Sequence, residues 1–106
     1  MSGSRTITKD DDRLDNVHPG EILREDFLIG SQIPIDEVAS GSGIDAPRLA
    51  ALLDAAIPVD ADIDLRLGRY FGMSEGFFLR LQNSYDLEEV RRSKGRDLDR
   101  IVPRAA

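Results

Sequence analysis

The chain has 106 residues, a length that allows one compact domain and is too short for two. Apolar residues make up 41% of the chain and charged residues 32%, the proportions of a globular protein, and there is no cysteine and no tryptophan. The absence of cysteine excludes disulfides and thiolate chemistry, and the few aromatic residues predict a mostly aliphatic core. No apolar run approaches the roughly 20 residues that a membrane-spanning helix needs.

The net charge of −6 is unevenly distributed along the chain. Residues 18–87 carry five basic and twelve acidic side chains, whereas residues 88–106 carry six basic and four acidic ones. An acidic body is a poor general ligand for nucleic acid, because Lys and Arg supply most of the non-specific affinity for phosphate. Such a body suits a basic protein partner. The alternative is that the carboxylates only keep the protein soluble.

Residues 1–17 are polar, charged and without periodicity, and we interpret them as a mobile arm. This segment has no apolar block and contains three consecutive aspartates at positions 10–12. It is therefore expected to be neither a secretion signal nor a basic transit peptide. The expected compartment is the cytoplasm.

Three helices are predicted in the first part of a domain that spans residues 18–90. The first begins near Pro19, which suits a first helical turn, and ends at Gly30. The second is short, from Ile35 to Ser40, because residues 41–43 (Gly-Ser-Gly) are expected to break it. The third is capped by Asp45. Its buried face is formed by Leu49, Leu52 and Leu53.

Two further helices complete the predicted domain. Residues 59–67 alternate between apolar and polar, as a strand does, but Asp is disfavoured in strands and favourable at a helix start. We therefore predict a fourth helix from Asp62 to Phe71, with Gly72 as its C-cap. Ser74 is expected to cap a fifth helix that reaches Val90, followed by a basic tail over residues 91–106. The prediction is an all-α, five-helix domain with a flexible arm and a flexible tail.

The fifth helix carries more apolar surface than one face of a helix normally does. One side can pack on the domain while the other packs on a second copy of the chain. The alternative is a single wide face that is buried within one chain. The residues that we predict at a dimer interface are Phe77, Phe78, Leu81 and Tyr85.

The sequence offers little that could support catalysis or hold a metal or cofactor. His18 is the only histidine, and one histidine without cysteine cannot form a usual structural zinc site. It precedes a helix start, where a capping or spacing role is expected. Asp60, Asp62 and Asp64 do not match a calcium loop, and side chains two apart on a helix do not face each other. We therefore predict that the chain is not an enzyme and has no cofactor.

Three segments together resemble the HigA-type antitoxins, a branch of the Xre or lambda-repressor-like helix-turn-helix proteins. They are residues 18–28 (HPGEILREDFL), residues 62–72 (DIDLRLGRYFG) and residues 77–87 (FFLRLQNSYDL). The resemblance covers about residues 18–87, and its specificity lies in the order and spacing of the three segments. It implies a protein that silences a cognate RNA-cleaving toxin, dimerises and represses its own operon.

The resemblance also implies how DNA would be bound. The second helix, near residues 34–41, would lie over the DNA backbone, and the third, near residues 46–54, would enter the major groove. Arg48 is the one long cation on that third helix. Around it this chain has alanines where the family favours polar or basic residues. The predicted DNA-binding residues are Ala46, Pro47, Arg48, Ala50 and Ala51.

Two functions follow from these observations. The first is an antitoxin of a type II toxin–antitoxin pair that binds a basic ribonuclease toxin and, as a dimer, represses its own operon. The alternative is a helix-turn-helix protein that has lost DNA binding and acts only through protein partners. The apolar third helix favours the alternative, because alanine offers no donor to bases and no charge to phosphates.

Overall fold

The computed structural model describes residues 14–105. Within these residues the chain forms five helices and no strand, as predicted. The first helix, α1, is α-helical over Pro19–Ile22 and π-helical over Leu23–Ile29. The other four are α2 (Ile35–Ser42), α3 (Ala46–Leu53), α4 (Ala61–Phe71) and α5 (Phe77–Asp99). None of the described helices has both the length and the apolar character that crossing a membrane requires.

All five helices contribute residues to the core, which is aliphatic except for one phenylalanine, as the composition predicts. The close approach of α1 to α3 depends on Gly20, because a Cβ atom there would lie 1.8 Å from the carbonyl oxygen of Leu52. The buried apolar residues are Leu23, Leu28, Val38, Ile44, Leu49, Leu52, Leu53, Val59, Ile63, Leu67 and Phe78.

The predicted capping role of His18 is confirmed. Its Nδ1 atom accepts a hydrogen bond of 2.9 Å from the amide of Gly20, at the start of α1. The ring is almost completely buried and packs edge-on against Tyr85, with 5.0 Å between the ring centroids. An Nδ1 atom that accepts a hydrogen bond carries no proton, so this cap requires the neutral imidazole.

The cap makes the stability of the fold depend on pH. Burial lowers the pKa of His18 below its usual value of 6.5, against the attraction of Asp86 and Glu21, which raises it. Below pH 6.5 the unfolded chain therefore binds a proton more readily than the folded chain does, so stability is lost as the pH falls further. We expect His18→Asn, which keeps a capping oxygen but does not titrate, to show a smaller fall in thermal stability between about pH 7 and about pH 5. Equal falls in the two proteins would contradict this.

Helix α2 runs two residues further than predicted, through Gly41 and Ser42. Gly41 does not break the helix because it allows close packing: a Cβ atom there would lie 2.2 Å from the ring of Tyr70 on α4. The helix ends at Gly43, whose φ of 76° is left-handed and whose amide donates to the carbonyl of Ala39. The turn between α2 and α3 is thus shorter than the sequence suggested.

The N-terminus of α5 is capped by a residue other than the one predicted. The side chain of Ser74 makes no capping bond, although its carbonyl accepts from the amide of Phe77 at 3.1 Å, and the helix begins at Phe77 after Gly76. The buried carboxylate of Asp64 on α4 instead accepts three backbone hydrogen bonds from this terminus. Its donors are the amides of Gly76 (2.7 Å), Phe78 (2.8 Å) and Leu79 (3.0 Å). Asp64 therefore joins α4 to α5 through the interior of the domain.

Both ends of the described chain differ from the prediction. Helix α5 continues to Asp99 with a kink at Lys94, whose backbone is not helical, so most of residues 91–99 of the expected tail are helical. Of the expected arm, residues 1–13 lie outside the described part. Residues 14–17 run along α5, where the side-chain amide of Asn16 donates to the carbonyl of Tyr85 at 2.9 Å and to Glu89 at 3.0 Å.

Candidate nucleic-acid interface

The outer face of α3 brings together the five residues that were predicted to bind DNA. Asp45 caps the helix by accepting a hydrogen bond from the amide of Arg48 at 3.3 Å, as predicted. The leucines of α3 are buried, so the remaining side chains face outward. Ala46 and Pro47 are exposed, and Arg48, Ala50 and Ala51 are half-buried. This face is small and apolar apart from one guanidinium group.

The guanidinium group of Arg48 is held by two carboxylates. Its Nη2 atom lies 2.9 Å from an oxygen of Asp60, and its Nη1 atom lies 2.8 Å from an oxygen of Asp62. The bond to Asp62, together with Asp60, raises the pKa of Arg48. The same bond, with help from Arg66, lowers the pKa of Asp62. The group therefore stays fully charged, but its charge is neutralised locally.

The three aspartates around the start of α4 have different roles. Asp60 is the N-cap, with an extended backbone (φ −110°, ψ −179°), and its Oδ1 accepts from the amide of Ile63 at 2.8 Å. Asp60 therefore lies outside the helix and can share a partner with Asp62. The rule that side chains two apart on a helix do not face each other does not apply to this pair. Asp64 points into the core. No spacing in the sequence reveals that Arg48 pairs with residues across the α3–α4 turn.

Two further arginines lie beside this face, on α4, and were not singled out in the sequence. Arg66 donates from Nε to both oxygens of Asp62 at 3.0 Å and from Nη1 to the carbonyl of Ser42 at 3.3 Å. Arg69 is 79% exposed and lies 3.9 Å from Glu75. With Gly41 and Tyr70, they line a shallow groove beside the end of α2. The groove places cations next to the helix-turn-helix without placing them on α3.

The predicted dimer residues are mostly part of the core of one chain. Phe78 is 1% exposed, so its assignment to an interface is wrong: the ring fills the space between helices. Phe77 and Leu81 are half-buried and pack against the core, and Tyr85 packs against His18. The exposed apolar residues of α5 lie further along the helix. They are Leu87 (58% exposed), Val90 (44%) and Leu98 (39%).

The arrangement of α2, the turn at Gly43 and α3 within five helices defines a helix-turn-helix protein. No family model matches the chain. It is 32% identical over 87 residues to virulence-associated protein I of Dichelobacter nodosus, and the match covers 82% of this chain and 80% of that protein.

Solved structures give the same result. The chain is 33% identical to the Pseudomonas aeruginosa antitoxin HigA, solved with the higBA promoter, with a TM-score of 0.77 over 86% of this chain and 100% of that one. It is 30% identical to an addiction module antidote protein of the HigA family from Coxiella burnetii, with a TM-score of 0.78 over 86% of this chain and 100% of that one. The chain belongs to the HigA family of antitoxins, which confirms the resemblance seen in the sequence.

Proposed function

We propose that this chain neutralises an RNA-cleaving toxin and, as a dimer, represses its own operon. The observation that carries the DNA-binding part is the exposed outer face of α3, which follows a short α2 and a tight turn. A helix in this position enters the major groove in helix-turn-helix proteins. The related P. aeruginosa antitoxin, solved with promoter DNA, supports the same role for α3 here.

The side chains of α3 suit an operator that is read with few polar contacts. Arg48 can donate to a guanine, and small apolar side chains such as Ala50 can contact the methyl group of thymine. Arg69 on α4, which is exposed and lies 3.9 Å from Glu75, is available for a phosphate, which would position the protein without reading sequence. We therefore expect the operator to be recognised through one strong donor and shape, with modest affinity at physiological salt.

Arg48→Ala is expected to cost about 1–3 kcal/mol of operator affinity, the usual range for a good base contact. The matched control is Arg100→Ala, which removes one exposed cation at the far end of α5. Fluorescence anisotropy with the DNA upstream of the chain's own reading frame would measure both variants. The control should bind as the wild type does. An unchanged affinity for Arg48→Ala would mean that another residue makes the main contact with the bases.

We place the dimer interface on the exposed face of α5 around Leu87 and Val90. These residues are three apart, so they lie on one side of the helix, and both are exposed. Leu87→Glu is expected to give a folded monomer by light scattering, because a charge cannot be buried in an apolar interface without a partner. Phe78→Glu should instead unfold the chain. The control Ile101→Glu, which alters an exposed residue beyond α5, should stay dimeric. A dimeric Leu87→Glu would contradict this placement.

The toxin-binding part of the proposal is supported by family membership and by the acidic body. Within residues 18–87 the acidic side chains outnumber the basic ones by twelve to five. A ribonuclease needs cations to bind RNA, so an acidic protein can cover the same surface and block it.

A second candidate is a toxin-binding protein that does not bind DNA. The pairing of Arg48 with two aspartates favours it, because no other long cation lies on α3. One DNA titration distinguishes the two candidates. If the second is correct, the free protein does not bind its upstream DNA at low salt or at physiological salt. Selective binding at low salt would exclude it.

A further inference from the structure

We propose that Asp60 and Asp62 determine the DNA selectivity of this chain by converting Arg48 from a general phosphate binder into a reader of neutral base edges. The inference rests on the proposed operator binding. It concerns two residues at the start of α4 that do not belong to the predicted DNA-binding set.

The cluster of Arg48, Asp60, Asp62 and Arg66 is electrically balanced, with two cations and two anions. Asp60 and Asp62 together bind both terminal nitrogens of Arg48. A guanidinium group has five N–H donors, so donors remain for a further acceptor. The N7 and O6 atoms of guanine are neutral acceptors and can approach such a cluster. The two carboxylates lie within about 3 Å of the guanidinium nitrogens. A phosphate group that approached these nitrogens would be repelled by the negative charges of both carboxylates.

The two carboxylates are fixed by contacts of their own. Asp60 is bound to the amide of Ile63 at the start of α4. Asp62 is bound by Arg66, which in turn reaches the carbonyl of Ser42 at the end of α2. Both helices of the helix-turn-helix therefore contribute to the position of the guanidinium group. Exposed ion pairs add little to stability. Stability alone therefore does not explain this arrangement.

The test is the double variant Asp60→Asn/Asp62→Asn. Asparagine is as good an N-cap as aspartate, so α4 keeps its start while the two charges are removed. The matched control is Asp97→Asn/Asp99→Asn, which changes the net charge equally at the far end of α5. Each protein is titrated with its own upstream DNA and with a scrambled duplex of equal length, over a series of salt concentrations.

We expect the double variant to bind the scrambled duplex about tenfold more tightly than the wild type does, because Arg48 then neutralises a phosphate. Its salt dependence on that duplex should steepen by about one ion. The preference for the upstream DNA over the scrambled duplex should fall, and the control should keep that preference. When Arg48→Ala is already present, the two Asn substitutions should no longer change the preference. That last result shows that the aspartates act through Arg48.

The outcomes separate this inference from the proposed function. If the wild type prefers its upstream DNA and the double variant keeps the same preference and salt dependence, the inference is overturned and operator binding stands. If no protein prefers the upstream DNA even at low salt, operator binding fails and the inference fails with it. Thermal unfolding checks that the variants fold. Should the double variant not fold, Asp62→Asn alone carries the test, since Asp62 is not the capping residue.

Discussion

Replacing Asp64 by alanine is expected to lower the free energy of unfolding by about 3 kcal/mol. The carboxylate is 1% exposed and accepts the amides of Gly76, Phe78 and Leu79. Without it, three donors at the start of α5 have no acceptor in the interior, and a cavity remains beside Phe78. Such a loss is a large fraction of the stability of a small domain, so the variant should unfold at a much lower denaturant concentration than the wild type does. Denaturant unfolding followed by circular dichroism measures the effect.

Two controls show whether the effect belongs to Asp64 itself. Asp62→Ala removes an exposed carboxylate two residues earlier on the same helix and should cost much less than Asp64→Ala, since it breaks only surface ion pairs. Ser74→Ala removes the residue that the sequence suggested as the cap and should cost less than about 0.5 kcal/mol, as a surface substitution. Asp64→Asn should also be destabilising, because its amide group would place donors against donors. Equal losses for Asp64→Ala and Asp62→Ala would contradict the interior cap.

Association with a small basic ribonuclease is expected to slow on the order of a hundredfold as ionic strength rises from about 0.01 M to about 0.15 M. The partner would be the product of the reading frame next to this chain's own. Opposite charges steer the two proteins together, and salt screens that attraction beyond roughly 8 Å at physiological ionic strength. The rate of dissociation should change much less, because it depends on short-range contacts. Stopped-flow fluorescence separates the two rates.

A matched pair of variants tests whether the acidic body supplies this steering. Asp36→Asn/Glu37→Gln neutralises two exposed carboxylates at the start of α2, within the acidic body. Asp97→Asn/Asp99→Asn makes the same change near the basic end of the chain. The first should lower the association rate at low salt more than the second does. An association rate that does not depend on salt would mean that the carboxylates serve solubility only.

The number, order and most boundaries of the helices were predictable from the sequence because the signals are local. Pro19, Asp45 and Gly72 act on the backbone within one helical turn, and the leucines of α3 repeat at the helical period. The predicted helix ends and caps were wrong where a contact between residues distant in the sequence determines the local structure. Gly41 looks like a breaker but makes room for Tyr70, and Ser74 looks like a cap but Asp64 takes that role.

Only part of the candidate site was predictable from the sequence. The outer face of α3 follows from its leucine pattern, so the residues exposed beside Arg48 could be named. The partners of Arg48 could not, because Asp60 and Asp62 reach it across a turn whose geometry no sequence period encodes. Phe78 was assigned to an interface because periodicity cannot distinguish an apolar residue that faces the core from one that faces a second chain.

Inhibition of RNA cleavage tests most directly whether this chain acts as an antitoxin. The purified chain is titrated into a cleavage reaction run by the ribonuclease that we propose as its partner, at physiological salt. We predict that cleavage falls in proportion to the added chain and stops when the two proteins are present in equal amounts. Cleavage that continues at full rate in the presence of a large excess of folded chain would contradict the claim.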